Sequence, residues 1–286
     1  MPEQRAPSVR GRLLARELRR LRGAAGLTGE AVAAQLGWSS AKVSRIETAI
    51  SPVTIPDLRK LLALYGSTDA EAQRLEDLAR TSRERGWWDL YTEALIPEYA
   101  TYIGLEAEAT SLKCYDALLV HGLLQTEEYA RAVISRAGIQ VFPGDIERRV
   151  QVRRLRQQRL LETCDSSLEF CAVLDETVLR RQVGGPDIMR NQLGHIADIA
   201  ALPNVTLQVL AFSAGVPPAS DGSFTILSFS HVMPSDTVYV DLIDSAVYIE
   251  NERDVYRYTL AFNELRARAL DPDDSLDFIK RAVLSG

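Results

Sequence analysis

Residues 28–47 read TGEAVAAQLGWSSAKVSRIE. The spacing is that of two short helices crossing at a tight turn. Val32, Leu36, Val43 and Ile46 supply apolar contacts between them, and Ala33 is small enough to let the second helix approach. Gly37 stands where the first helix must end in a left-handed turn, a conformation glycine adopts at no steric cost. Thr28 and Ser39 stand where the two helices need N-caps. This is the layout of a helix-turn-helix, and it directs the reading toward duplex DNA.

The pattern extends on both sides. Leu14, Leu18 and Leu21 recur at helical spacing within residues 9–25, and Gly26 ends that helix. The second and third helices cover residues 29–36 and 40–48. Thr54-Ile55-Pro56-Asp57 reads as a capped start for a fourth over residues 55–65, stopped by Gly66. A fifth, over residues 69–83, turns Leu75, Leu78 and Ala79 inward. Residues 1–85 are therefore expected to form an all-α five-helix domain.

In such a motif the third helix enters the major groove. Its outward positions are Ser40, Ala41, Lys42 and Arg45, the expected base readers. Arg45 suits a bidentate contact to guanine, and Ala41 suits a thymine methyl. Arg10, Arg12, Thr28, Ser39 and Ser44 are candidates for the phosphate backbone, with capping as the competing role of Ser39. Glu47 has the wrong sign for phosphate and reads as an ion-pair partner inside the domain.

The formal net charge of −6 suits a DNA binder poorly until it is divided. Residues 1–85 hold 15 Lys and Arg against 10 Asp and Glu, a balance of +5; the remaining 18 basic and 29 acidic residues give −11. A basic head on an acidic body is expected where only the head meets phosphate. Cys114, Cys164 and Cys171 are too few and too irregular for a disulfide framework and read as small buried hydrophobes of a reducing cytosol. His121, His195 and His231 are scattered, so no metal or cofactor is expected. No apolar run is long enough to span a membrane.

The string GWWDLY at residues 86–91 marks the change of domain. Of its two tryptophans, one is expected to pack the body and the other the head or a partner. Residues 86–286 mix helices (126–137, 146–162, 187–201, 255–269, 275–284) with strands (112–120, 168–174, 205–211, 224–229, 238–243). The class is α+β. Gly184-Gly185-Pro186 lacks the Lys-Ser/Thr of a phosphate loop, and no G-x-S-x-G elbow occurs. Asp165, Asp175, Glu176, Asp241 and Asp244 lack diagnostic spacing and read as solvated or capping acids. Residues 146–162 carry Arg148, Arg149, Arg153, Arg154, Arg156 and Arg159. Three readings stand for that face: pairing with the body's own acids, docking of an acidic protein through Arg149, Arg153 and Arg156, or extra DNA contact.

With these residues in view, positions 13–66 resemble the XRE (lambda-repressor/Cro-like) DNA-binding domains, through LRRLRGAAGLT, EAVAAQLG and SSAKVSRIE. The chain departs from that family at Gly29, where Gln is usual and helps hold the DNA backbone. The body resembles the C-terminal domain of unknown function in actinobacterial regulators of the WhiJ-like type, through WWDLYTEALIPEYATYIGLEAEATSLKCYD, HGLLQTEEYARAV, VQVRRLRQQRLL, LDETVLRRQVGGPDIMRNQL, LPNVTLQVLAF and SFTILSF. It departs at His121-Gly122, often Pro-Gly, and at Ala117, often Pro. The resemblance implies a cytoplasmic, antitoxin-like transcriptional regulator, often encoded beside a small companion protein. It brings no catalytic residues.

Three functions follow as expectations. The first is a homodimeric, sequence-specific regulator whose body dimerises and answers to a small partner protein. The second makes the body a small-molecule sensor. The third, a metal-dependent nuclease targeted by the head, has no motif behind it, so the chain is expected not to be an enzyme.

Overall fold

Local chemistry sets the helix ends in the first part of the chain. Thr28, Ser39, Thr54 and Thr68 each accept a hydrogen bond from a backbone N–H in the first turn of the helix that follows. The computed structural model describes residues 9–82, 86–136, 143–161, 167–229, 236–243 and 245–285. Cys164, Asp165, His231 and Asp244 lie outside them. The chain divides into two compact units, Met1–Thr92 with Ile96–Gly104, and Glu93–Leu95 with Leu105–Gly286.

The first unit holds α1 (Val9–Ala24), α2 (Gly29–Leu36), α3 (Ser40–Glu47), α4 (Ile55–Tyr65) and α5 (Asp69–Thr81). Its core takes the stripes expected from periodicity, Leu14, Leu18 and Leu21 of α1, Val43 and Ile46 of α3, and Leu75, Leu78 and Ala79 of α5, and adds Leu58, Leu61 and Leu62 of α4. Trp87 and Trp88 are both half-buried. They begin a 3-10 helix, Trp87–Ala94, and their rings meet edge to face with centroids 5.8 Å apart.

The larger unit is built on a six-stranded mixed sheet. Its strands are β1 (Ser111–Asp116), β2 (Glu169–Asp175), β3 (Val205–Leu210), β4 (Phe224–Ser228), β5 (Thr237–Asp241) and β6 (Ala246–Ile249), in the order β3-β2-β1-β4-β5-β6. β1 and β2, and β2 and β3, are parallel; the other neighbours are antiparallel. The helices are α6 (Pro97–Glu108), which begins in the first unit, then α7 (Glu127–Arg136), α8 (Pro143–Leu161), α9 (Glu176–Arg180), α10 (Pro186–Ile199), α11 (Glu252–Arg268) and α12 (Pro272–Ser285). α11 lays Val255, Phe262 and Leu265 on Tyr115, Val173, Phe224, Ile226 and Val238 of the sheet. Beyond β3 the chain blunts the sheet edge: Leu270 N donates to Val209 O at 2.9 Å, and Val209 N donates to Ser275 Oγ at 2.9 Å.

The expected α+β class holds, with corrections inside it. β1 stops at Asp116, four residues before the expected end at 120. The chain turns there because Ala117 N donates to Ser223 Oγ at 2.9 Å, leaving Leu118 and Leu119 at 58% and 39% exposure. The strand expected at 238–243 is a hairpin arm, and β6 returns beside it.

Candidate nucleic-acid interface

The two crossing helices have the geometry the motif requires. Ala31 N donates to Thr28 Oγ1 at 3.1 Å and Lys42 N to Ser39 Oγ at 3.2 Å, so both caps are made. Gly37 has φ 65° and ψ 34° and turns α2 toward α3. Val32, Ala33, Val43 and Ile46 are buried. Ser40, Ala41, Ser44 and Arg45 are exposed, so α3 presents a small-residue face with one cation. Arg45 Nε donates to Ala41 O at 3.3 Å, an exposed bond that base edges can replace.

Lys42 is placed differently from the other expected readers. Its ammonium donates to Asp57 Oδ2 at 2.8 Å and lies 3.8 Å from the Trp38 ring centroid. The Lys42 hydrogen bond holds the Asp57 carboxyl below its ordinary range. Lys42 therefore reaches DNA only by leaving a carboxylate of α4.

Glu47 is buried and held by Arg22, whose Nε and Nη2 reach Oε1 and Oε2 at 2.7 and 2.9 Å. The Glu47 hydrogen bond raises the Arg22 guanidinium above its ordinary value. Tyr65 is raised too, by burial first and then by the nearby Glu47 charge. Arg19 Nη2 donates to Glu47 O at 2.8 Å, placing a cation on the carbonyl end of α3. Among the backbone candidates, Thr28, Ser39 and Ser44 are exposed. Arg10 is at the other end of α1, where Nη1 donates to Thr81 O at 3.5 Å. Twelve residues of helix separate it from Arg22, about 18 Å. Arg12 is half-buried on the same helix.

A shallow cleft of about 440 Å³ separates the start of α2 from α3, lined by Arg19, Thr28, Gly29, Ser40 and Ser44 among others. A β-carbon at Gly29 would lie 4.0 Å from Val43 Cγ1, an ordinary contact. Packing therefore does not require glycine at that position.

Of the three readings of the arginine-rich α8, the contacts favour pairing within its own unit over partner docking. Arg156 is buried, and its Nε and Nη2 donate to Glu106 Oε1 and Oε2 at 2.6 Å each. Arg149 Nε donates to Ala94 O at 2.7 Å and Arg153 Nη1 to Gln125 Oε1 at 2.6 Å. Arg159 donates to the carbonyls of Glu106, Ala107 and Ala109, closing the C-terminal end of α6. The three expected docking residues thus point into their own unit. On the outer face Arg154 pairs with Glu127 at 2.9 Å and Arg148 with Asp145 at 3.9 Å. A long helix with cations facing inward needs acceptors, and carbonyls and Glu106 supply them.

The described acids also have structural roles. Asp175 accepts from Thr177 N at 2.8 Å and from Tyr115 Oη at 3.4 Å. Glu176 accepts from Phe212 N at 2.9 Å, and Asp241 from Tyr239 Oη at 3.0 Å. No group of three His, Cys, Asp or Glu residues among the described residues is arranged to hold a metal ion. Cys114 is buried and Cys171 partly so, and burial raises both thiols. Asp116 was not singled out by the sequence. It is buried at the end of β1 with no hydrogen bond to Oδ2, and burial pushes its carboxyl well above the usual range.

A helical head whose second and third helices cross over a small-residue outer face defines a DNA-binding regulator of the helix-turn-helix class. Residues 13–75 match the family described as helix-turn-helix domain. Residues 99–281 match the domain of unknown function DUF5753, more than half of the chain, and the chain belongs to that family. No curated protein and no solved structure matches it. Among the described residues no helix is long and apolar enough to cross a membrane.

Proposed function

We propose that the protein is a cytoplasmic, sequence-specific transcriptional regulator. It acts as a homodimer that reads DNA with α3 and is controlled through its larger unit by a small partner protein. The observation that carries the reading is the two-sidedness of α3. Val43, Ile46 and Glu47 are buried and committed to the domain, while Ser40, Ala41, Ser44 and Arg45 are exposed along the opposite side. Arg45 supplies discrimination worth about 1–3 kcal/mol at a guanine. Thr28, Ser44 and the cation of Arg19 suit phosphates beside the groove. Two heads of a dimer fit half-sites about 34 Å apart. The reading assigns the chain no catalytic step.

The test uses operator DNA selected from a random pool by the full chain. Arg45→Ala is expected to lower operator affinity 10-fold or more while leaving affinity for random DNA unchanged. Equal discrimination by the variant would remove Arg45 from the readers. Failure of the native chain to select any sequence would remove the function.

A further inference from the structure

The structure turns the arginines that the sequence offers as a docking face toward their own unit and buries Arg156, but it builds a different surface elsewhere in the same unit. A groove of about 830 Å³ runs between α7 and residues 182–188. We propose that this groove docks an acidic, apolar peptide segment of a partner protein. The inference rests on the partner-controlled reading above and names where and what the partner presents.

One wall is a single helix face. Glu128, Arg131, Ala132, Ser135 and Arg136 line the groove, at the i, i+3, i+4, i+7, i+8 positions of one side of α7. That face is about 12 Å long, two helical turns, the length over which a short amphipathic segment seats its anchors. Leu119, Val133, Val183 and Ile188 supply an apolar floor, and Leu119 is 39% exposed without a cover.

Charge specifies the occupant. The residues after 85 carry a balance of −11, and their surface arginines are mostly answered by acids, as in Arg154–Glu127, Arg180–Glu176, Arg190–Asp187 and Arg268–Glu264. Arg131, on the groove wall, is answered by Glu147 at 2.7 Å. Arg136 on the same wall and Arg181, next in the chain to the lining residue Gln182, are exposed, and among the described residues neither has an acid partner; Glu128 is the one acid of the lining. The N-terminal end of α10 opens on the same groove through Gly185, which supplies no side-chain cap to its first turn. Two unanswered guanidiniums against the single carboxylate of Glu128, together with an uncapped helix start, leave a positive balance that favours carboxylates. The apolar floor favours a peptide over DNA, whose phosphates need no such floor. The groove is open along its length, which favours a segment over an enclosed small molecule.

The experiment pans a displayed library of 12-residue peptides against the full chain and measures recovered peptides by fluorescence anisotropy. The expected peptides are rich in Asp and Glu and carry Leu, Ile or Phe at helical spacing. Their affinity is expected to fall at least tenfold on Arg136→Glu/Arg181→Glu and on Val133→Asp, with the unfolding midpoint unchanged. Reversing the peptide's acids to lysine is expected to restore binding to the double variant alone. Basic peptides, or peptides indifferent to all three substitutions, would overturn the proposal. So would equal displacement by millimolar citrate, which marks a small-anion site, or loss of the dimer in the variants, which marks a self-interface. Selected-operator binding is measured in parallel. Its loss in the native chain counts against the head's function and leaves the groove's result to stand alone.

Discussion

Arg22 of α1 and Glu47 of α3 are joined by two parallel hydrogen bonds of 2.7 and 2.9 Å, with the carboxylate almost wholly enclosed. The pair fixes the last turn of the DNA-facing helix to the first helix of the domain. Arg19 reinforces it through the Glu47 carbonyl. Removing one charge from such a pair leaves the other desolvated and unanswered. Arg22→Ala is expected to destabilise the helical unit by about 3 kcal/mol, while Arg22→Met/Glu47→Leu loses less than the single change. Denaturant titration of the three variants decides it; a double variant worse than Arg22→Ala would mean that the pair contributes net stability.

Lys42 is held by Asp57 in the structure described, so its service to DNA is conditional. Asp57→Asn is expected to release it. If the freed ammonium takes a phosphate, the slope of log affinity against log salt steepens by about 0.9. An unchanged slope in a salt series of binding titrations would place Lys42 in the fold alone.

Two positions in the head are occupied by residues the backbone does not favour. Ala49 has φ 58°, a left-handed conformation that disfavours any β-carbon. Ala49→Gly is expected to stabilise the unit by about 1 kcal/mol. Gly29 is the converse, a glycine at the start of α2 with room for a methyl 4.0 Å from Val43. Gly29→Ala is expected to add up to about 1 kcal/mol. Both are read as shifts in the denaturation midpoint, and a loss of stability at either would refute the backbone argument.

His121 lies against Phe170, ring centroids 5.3 Å apart. Burial first, and then the Arg156 charge, lowers it from 6.5 to about 3. The folded chain thus binds this proton only near pH 3, while the unfolded chain binds it near 6.5. Stability from this group is complete above that upper value and is lost as the pH falls between the two, by about 1.4 kcal/mol per unit at the steepest. His121 has φ −54° and ψ 144°, a conformation proline shares. His121→Pro is expected to fold and to flatten the acid side of the stability profile. A profile as steep as the native one would assign the acid loss to other groups.

The legible parts of the chain are those whose causes are local. Thr28, Gly37, Ser39 and Thr54 act on backbone within a few residues, so caps and turns could be read from letters in order. The role of Glu47 was legible from its sign. The direction of α8 was not, because its partners at Ala94, Glu106 and Gln125 are 28 to 55 positions away. Nor was α6, since Ala100 through Glu106 are all buried and leave no polar stripe to give it a period. β1 seemed longer than it is because residues 117–120 are apolar but serve a turn. The groove beside α7 had no signal at all, since its walls come from segments about fifty residues apart.

Gly184 borders that groove with φ 74°. A β-carbon there would stand 2.7 Å from Ile188 Cδ1 and 3.2 Å from Ala132 Cβ. The gauge of the channel is therefore set by a single hydrogen atom. Any other residue would push the Ile188 tip aside, press on Ala132 by a few tenths of an ångström and reshape the opening without altering one charge along it. Related chains can thus diverge in what they admit through a position that need never touch the guest.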